Sequence, residues 1–288
     1  MARSPSFWIR KGSFKVAPSP LVFKGLSSRS ILRSRAFAQF VLAYDVNIIW
    51  TSYAHHSDMP VISFANPKGG SGKTTLALVL ALELSKQGAR LAVIDADPNA
   101  VIADWASRRQ QDAQNVPFTI VARPKEAEMV ATIGELSQIH DFVLIDLEGT
   151  ASRLLSRAFA RSHLILIPLN PSPIDARLAA AAVQLVHEES EALERSIPYR
   201  LVYSCYPAAV ATRSFRRIDE EIRAERLPTL PEGLVERAAF RDIFEFAKTL
   251  DELTDQMTSG LDRARENAHA LAQHVVDALK TIQKENNQ

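Results

Sequence analysis

The feature that most constrains this chain is a glycine-rich loop between an apolar run and a helical pattern. The loop reads Asn-Pro-Lys-Gly-Gly-Ser-Gly-Lys-Thr-Thr over residues 66–75. Residues 60–65 are mainly apolar and short enough for a buried strand, and the apolar residues of 75–86 recur at helical spacing. Strand, glycine loop and helix in this order are the context that a phosphate-binding loop requires.

Such a loop binds a polyphosphate through its backbone. Glycines let the N–H groups point inward, and the N-terminus of the following helix adds partial positive charge. We expect the nucleotide-binding residues to be Gly69, Gly70, Ser71, Gly72, Lys73, Thr74 and Thr75. Lys73 would reach the β- and γ-phosphates of a nucleoside triphosphate, and the Thr74 hydroxyl would bind Mg²⁺.

The loop departs from the common pattern G-x-x-x-x-G-K-[ST], because Pro67 holds the place of the first glycine and Lys68 follows. Residues 68–75 resemble the deviant Walker A motif of the ParA/MinD ATPases. In that family the first lysine crosses to the nucleotide of a partner subunit, so that ATP is sandwiched in a dimer. The resemblance therefore implies catalytic roles for both Lys68 and Lys73. Taken alone, Lys68 would be a solvated lysine before a turn.

Two carboxylates, Asp95 and Asp97, follow the second apolar run, residues 91–95. Phosphoryl transfer needs oxygen ligands near Mg²⁺ and a group that orients the attacking water. The segment resembles the D-x-D-P motif of ParA proteins, which implies that Asp97 positions the hydrolytic water and that Asp95 lies close to the metal. The alternative is an acidic helix N-cap, in which Asp97 or Asn99 caps the following helix.

A third carboxylate, Asp146, ends the apolar run of residues 141–146 and resembles a Walker B aspartate. This position would place it beside Mg²⁺, together with Thr74 and Asp95. ParA proteins often continue with two prolines, whereas this chain reads Leu-Glu-Gly-Thr over residues 147–150. We expect Gly149 to supply a mobile switch loop near the γ-phosphate.

Apolar runs alternate with helical patterns along the chain. The predicted strands cover residues 60–65, 91–95, 116–121, 141–146, 163–168 and 199–204. Near-continuous apolar strands separated by helices predict an α/β fold, a doubly wound and mainly parallel sheet with helices on both faces. With the glycine loop, this is the single-domain P-loop NTPase fold, and ligands bind at the carboxyl ends of its strands.

Two further segments resemble parts of ParA-like proteins. The proline-rich turn at residues 168–175 should be structural, with Asp175 capping the following helix. Arg213, Arg216 and Arg217 fall at helical spacing and can share a face. The resemblance implies a basic surface there that binds DNA phosphates without sequence preference. The alternative is a solvated helix whose arginines are balanced by the neighbouring acids.

The first 58 residues differ in composition from the rest of the chain. They hold eight Lys/Arg and two Asp/Glu, whereas the remainder holds 26 basic and 31 acidic residues. We interpret residues 1–58 as a disordered or non-native N-terminal extension and residues 59–288 as a ParA-like ATPase domain. A transit peptide and a basic nucleic-acid-binding arm are the other readings of the leader. Since the body is mildly acidic, DNA contact needs a local basic patch.

The final helical pattern, residues 259–284, shows one apolar stripe and mixed charges without aromatic residues. Membrane-binding amphipathic helices favour a basic polar face and bulky aromatics, so we expect this helix to pack on the core. A single cysteine, Cys205, excludes a disulfide framework within one chain and fits a reducing compartment.

Taken together, the resemblance implies a ParA-type ATPase that binds ATP and Mg²⁺, forms a homodimer on ATP binding and binds DNA non-specifically. It implies slow hydrolysis stimulated by a ParB-like or other adaptor protein. The expected role is plasmid or chromosome partition, or DNA positioning, in the bacterial cytoplasm on the nucleoid. A MinD-like membrane-cycling ATPase and a P-loop metabolic ligase or kinase are the alternatives.

Overall fold

The computed structural model describes residues 59–149, 152–206 and 213–287. Our predictions about the leader, residues 1–58, therefore lie outside the described residues. The strands are β1 Val61–Phe64, β2 Leu91–Asp95, β3 Thr119–Ala122, β4 Phe142–Asp146, β5 Leu164–Leu169, β6 Tyr199–Tyr206 and β7 Leu234–Val235. The helices are α1 Lys73–Lys86, α2 Val101–Gln111, α3 Met129–Ile139, α4 Arg153–Phe159, α5 Pro173–Ala192, α6 Arg213–Ala224, α7 Ala238–Glu245 and α8 Leu261–Asn286, with a 3₁₀ turn at Glu126–Glu128.

The seven strands form one sheet in the order β3-β2-β4-β1-β5-β6-β7, and every pairing is parallel. The side chains of β1, β2, β4 and β5 are buried along their whole length, because helices cover both faces of the sheet. Along β1, Ile62 and Phe64 pack in one hydrophobic cluster and Val61 in the other. The predicted doubly wound parallel fold is confirmed.

The third predicted strand starts later than the sequence pattern indicates. β3 begins at Thr119 rather than Val116, because Pro117 has no N–H for the ladder. The last strand, β7, was not predicted at all. It is two residues long, too short to show a period, and it depends on Gly233. A Cβ at Gly233 would lie 2.0 Å from the carbonyl oxygen of Tyr203, so only glycine lets this segment approach β6.

The last helix packs on the core, as predicted. The apolar stripe of α8, which includes Leu271, Val275 and Leu279, is buried in the cluster that also contains α1. A polar contact adds to it, since His269 Nδ1 lies 2.8 Å from Glu83 Oε1. Across the described ranges, no helix combines the length and the apolar character needed to span a bilayer.

A clamp of Trp105, Arg108 and Arg109 on α2 holds the segment after α7. Trp105 Nε1 donates to the carbonyl of Ile243, and Arg108 donates to two carbonyls at the end of α7. Arg109 is 2 % exposed, and its guanidinium binds both oxygens of Glu252 at 2.6 and 2.9 Å. The clamp ties the helix that follows β2 to the C-terminal third of the chain.

Candidate nucleotide-binding site

The glycine-rich loop connects the carboxyl end of β1 to the N-terminus of α1. Gly70 and Gly72 have φ values of +76° and +96°, which favour glycine. Gly72 occupies the N-cap position, and no side chain of a described residue caps α1 there. The first helical bond runs from Leu76 N to Gly72 O at 2.8 Å. The N–H groups of the first turn are therefore available to an anion.

Two polar side chains outside the predicted site hold the loop in place. Asn66 Nδ2 donates to the carbonyl of Pro168 at 2.6 Å, and Asn66 Oδ1 accepts from Lys68 N at 2.8 Å. Ser204, on β6, donates from its hydroxyl to the carbonyl of Ser71. Nothing in the sequence around Ser204 indicates this role, because only the strand order brings the end of β6 to the loop.

The Lys73 ammonium lies across the base of the loop. Its Nζ donates to the carbonyls of Asn66 and Lys68, both at 3.1 Å. Burial lowers the pKa of Lys73, and the nearby carboxylates of Asp146, Asp97 and Glu148 oppose that shift. The structure thus brings Lys73 together with both predicted acidic segments.

Asp146 and Asp95 are register partners at the ends of β4 and β2, and both are fully buried. Among the residues that the structure describes, neither oxygen of the Asp146 carboxylate has a hydrogen bond of normal geometry. Burial raises the pKa of Asp146 to about 7, while the adjacent Thr74 hydroxyl lowers it and Asp95 raises it. Buried carboxylate oxygens without a partner, next to a threonine hydroxyl, fit a divalent cation.

In the described ranges, no three His, Cys, Asp or Glu side chains form a metal-binding group by themselves. A magnesium ion at this edge would therefore take its remaining ligands from the Thr74 hydroxyl, the bound polyphosphate and water.

Asp95 also anchors α2. Its Oδ2 accepts from Ala103 N at 2.9 Å, whereas its Oδ1 has no hydrogen-bond partner within the described ranges. The alternative that Asp97 or Asn99 caps α2 is therefore wrong, because the carboxylate at the helix N-terminus belongs to Asp95. Asp97 Oδ1 accepts from the backbone and side chain of Asn99 in a local turn, at 2.8 and 2.9 Å. Asp97 stays half-exposed at the mouth of the site, where its charge acts on Lys73 and Asp146.

The segment after β4 lies against the start of the loop. A Cβ at Gly149 would lie 2.9 Å from the carbonyl oxygen of Pro67 and 3.2 Å from that of Asn66. Only glycine permits this contact without displacing the backbone. Whether the segment is a mobile switch stays a prediction.

The structure corrects the prediction that Asp175 caps α5. The N-cap is Ser172, whose Oγ accepts from Asp175 N at 3.2 Å. The Asp175 carboxylate accepts from the Ser172 hydroxyl and pairs with Lys68, whose Nζ lies 2.9 and 3.2 Å from its two oxygens. The spacing Ser-x-x-Asp is a sequence signal for a helix N-terminus with the serine as N-cap.

The predicted DNA-binding arginines lie on α6. Arg213 and Arg216 are exposed and have no ion pair among the described residues, and Arg217 Nε is 3.8 Å from Glu221. Arg223 is different, because its Nε lies 2.9 Å from Asp219. A groove of about 360 Å³ between α5 and α6 adds Arg177, which sequence reasoning missed because 40 residues separate it from Arg217.

Comparisons with known proteins agree with this fold. The family model described as VirC1 protein matches residues 59–283. Protein ParA of Rhizobium radiobacter is 33% identical over 227 residues, which cover 77% of this chain and 100% of that protein.

Solved structures show the same fold at low sequence identity. Apo McdA from Cyanothece superposes with a TM-score of 0.62 at 16% identity, covering 75% of this chain and 99% of that one. A Borrelia burgdorferi putative plasmid partition protein bound to AMPPNP gives a TM-score of 0.60 at 16% identity, covering 76% and 99%.

Proposed function

The chain belongs to the VirC1 family of ParA-like P-loop ATPases, and on this premise we propose that it is a DNA-positioning ATPase that dimerises around ATP. The proposal that the chain binds a nucleotide rests on the groups that meet at the edge of the sheet beside the N-terminus of α1. An uncapped helix N-terminus and a glycine loop meet Asp146, a buried carboxylate whose oxygens have no hydrogen-bond partner in the described part of the chain. A triphosphate with Mg²⁺ supplies both missing partners, the anion for the helix and the cation for the carboxylate.

Each predicted site residue has a role in this proposal. The N–H groups of residues 69–75 bind the phosphates, and Lys73 moves from its two carbonyl partners to the β- and γ-phosphates. Thr74 and Asp146 would hold Mg²⁺, with Asp95 beside them on β2, and the ion would neutralise phosphate charge. Asp97 orients the attacking water, because its half-exposed carboxylate lies at the mouth of the site.

In this proposal, hydrolysis requires a dimer because Lys68 acts on the nucleotide of the partner subunit. The Lys68 side chain is 36% exposed at the start of the loop, so its ammonium can reach a second subunit while the loop backbone stays in place. An ammonium at a partner's phosphates stabilises negative charge that builds up during phosphoryl transfer. Hydrolysis is then slow in the monomer, and a ParB-like or other adaptor protein stimulates it in the dimer.

The DNA-binding role rests on α6 and the neighbouring groove. Arg213 and Arg216 carry exposed charge and have no ion pair among the described residues, and Arg177 and Arg217 both line the groove. Exposed arginines of this kind contact phosphates without reading bases. Such binding suits plasmid or chromosome partition on the bacterial nucleoid.

The sandwich mechanism is tested with Lys68→Ala. This variant should bind ATP with an affinity close to that of the unaltered chain, because Lys73 and the loop N–H groups remain. It should fail to dimerise and to hydrolyse ATP. Lys86→Ala, which removes a lysine in an exposed pair with Asp251 at the far end of α1 from the loop, is the matched control. An unchanged hydrolysis rate in Lys68→Ala would refute the sandwich.

The DNA-binding role is tested by retention on DNA with ADP, ATP and a slowly hydrolysed ATP analogue across a salt series. Retention should require the triphosphate and fall steeply with salt. ATP-dependent co-sedimentation with liposomes would instead favour a membrane-cycling ATPase. Phosphate release that depends on a small-molecule substrate, with no DNA effect, would favour a metabolic enzyme.

A further inference from the structure

The lysine that is proposed to act in a partner subunit is engaged within its own subunit. Lys68 Nζ lies 2.9 and 3.2 Å from the two oxygens of Asp175, at the first turn of α5. The Asp175 side chain is 4% exposed, so this carboxylate faces the interior rather than solvent. Neither the glycine-loop motif nor the proline-rich turn, taken separately, indicates this contact.

The two positions of Lys68 exclude each other. One ammonium cannot remain within 3.2 Å of both Asp175 oxygens and also contact the phosphates of a nucleotide in another subunit. We propose that the Lys68–Asp175 pair is an intramolecular latch that sets the nucleotide concentration at which two chains close over ATP. This inference rests on the proposed sandwich dimer and adds its regulation.

The surroundings of Asp175 make the latch releasable. When Lys68 leaves, the carboxylate keeps the hydrogen bond from the Ser172 hydroxyl. Asp175 also occupies the first turn of a 20-residue helix, where the N-terminal partial charge favours an anion. The Asp175 carboxylate therefore keeps two favourable interactions when its lysine leaves. Because the Lys68 side chain is 36% exposed, water and salt weaken the pair further.

The latch is tested with Asp175→Asn, which removes the charge but keeps the size of the side chain and an oxygen that can accept from Ser172. Dimer formation is measured by sedimentation velocity against the concentration of a slowly hydrolysed ATP analogue with Mg²⁺. We expect the variant to dimerise at about tenfold lower analogue concentration, since a charged hydrogen bond no longer opposes closure. Asp251→Asn, which removes the exposed partner of Lys86, is the control and should not shift the midpoint.

A second measurement does not require dimerisation. Acetylation of lysine amines in the nucleotide-free protein is followed by peptide mass spectrometry, with Lys86 as the internal reference. Lys68 should be modified several-fold faster in Asp175→Asn than in the unaltered chain, because the buried carboxylate no longer holds its ammonium. If Asp175→Asn does not fold, as judged by circular dichroism, Asp175→Ser replaces it in both measurements.

The outcomes separate the two proposals. If the unaltered chain stays monomeric at saturating analogue, the sandwich itself fails, and acetylation then decides only whether the Lys68–Asp175 contact exists in solution. If the chain dimerises but Asp175→Asn needs the same or a higher concentration, the latch is overturned while the sandwich stands. Equal acetylation of Lys68 with and without the Asp175 carboxylate also overturns the latch.

Discussion

Two regions of this molecule bury charge, and they do so in opposite ways. In the clamp of Trp105, Arg108 and Arg109, the buried Arg109 guanidinium donates four hydrogen bonds to described residues. Two go to the carboxylate of Glu252 and two go to backbone carbonyls. At the carboxyl edge of the sheet, both oxygens of the buried Asp146 lack a hydrogen bond of normal geometry from any described residue. A buried charge with protein partners stabilises the fold, whereas one without them costs free energy unless a ligand completes it. The comparison locates the ligand site without reference to any motif.

The largest expected effect breaks the clamp. Arg109→Met keeps the apolar volume but leaves Glu252 without its guanidinium partner and removes a donor from two carbonyls. The free energy of unfolding should therefore fall by about 3 kcal/mol. Urea unfolding at pH 7 measures the loss. Nucleotide affinity in the folded variant should not change, because the clamp does not touch the loop.

The pH dependence gives an internal check on Arg109→Met. Arg109 lowers the pKa of Glu252 to about 2 in the folded chain, so the pair stabilises the fold above the ordinary pKa near 4.5. That contribution is lost as pH falls toward 2. The difference between the unaltered chain and Arg109→Met should therefore shrink between pH 5 and pH 2. A constant difference over this range would show that packing on Trp105 carries the effect.

The next largest effect concerns Lys73 and has the opposite pattern. Lys73→Ala should lower ATP affinity by about 100-fold, which corresponds to about 2.7 kcal/mol. Its free energy of unfolding should change little, because the hydrogen bonds that the ammonium makes with described residues go to two loop carbonyls. Calorimetric titration measures the affinity, with Lys86→Ala as the control. If Lys73→Ala instead lowers the free energy of unfolding and leaves ATP affinity unchanged, Lys73 stabilises the fold, as Arg109 does, rather than binding the nucleotide.

Asp146→Asn tests the cost of the unpartnered carboxylate. Because the folded pKa is raised to about 7 from an ordinary value of 3.8, the folded state binds the proton more tightly. Stability contributed by this group therefore falls as pH rises from about 4 to 7. Without nucleotide or Mg²⁺, Asp146→Asn should be more stable than the unaltered chain by about 1 to 2 kcal/mol at pH 8 and equal to it near pH 4.

The same variant should lose the stabilisation that Mg²⁺-ATP gives to the unaltered chain, which thermal unfolding with and without the ligand measures. A variant that is less stable than the unaltered chain at pH 8 would mean that Asp146 has a structural partner in solution. The Asp146 site would then resemble the clamp, and the comparison between the two regions would fail.

The sequence predicted the parts of this site that depend on neighbours along the chain. The loop, the helix behind it and the carboxylates at the ends of β2 and β4 follow from local patterns, and the parallel sheet brings them to one edge. Ser204 and Arg177 could not be predicted, because their contacts join segments 133 residues apart in one case and two separate helices in the other.

The role of Asp175 shows the same limit more sharply. Its position in the first turn of a helix was predictable, but its partner Lys68 lies 107 residues away. Local signals favour a capping role for an acidic residue at such a position. The structure assigns the cap to Ser172 and leaves the carboxylate for Lys68, because β5 places the start of α5 beside the loop.

The smallest expected effect extends the comparison to the surface. On α6, Arg223 is paired with Asp219 at 2.9 Å, whereas Arg216 is exposed with no ion pair in the described ranges. An arginine that already has a carboxylate partner has less to gain from a DNA phosphate. Arg216→Ala should therefore lower the slope of log affinity against log salt by about 1, and Arg223→Ala should leave it nearly unchanged.

Both variants are measured by DNA retention with the slowly hydrolysed ATP analogue, after equal dimerisation has been verified. Both arginines lie on α6 and carry the same charge. If only the net charge of the protein matters, the two substitutions should reduce the slope equally. That result would remove α6 as a specific contact surface. A larger decrease in slope for Arg223→Ala would mean that Arg223 leaves Asp219 to contact DNA. An ion pair within the chain would then not distinguish a structural surface arginine from one that binds DNA.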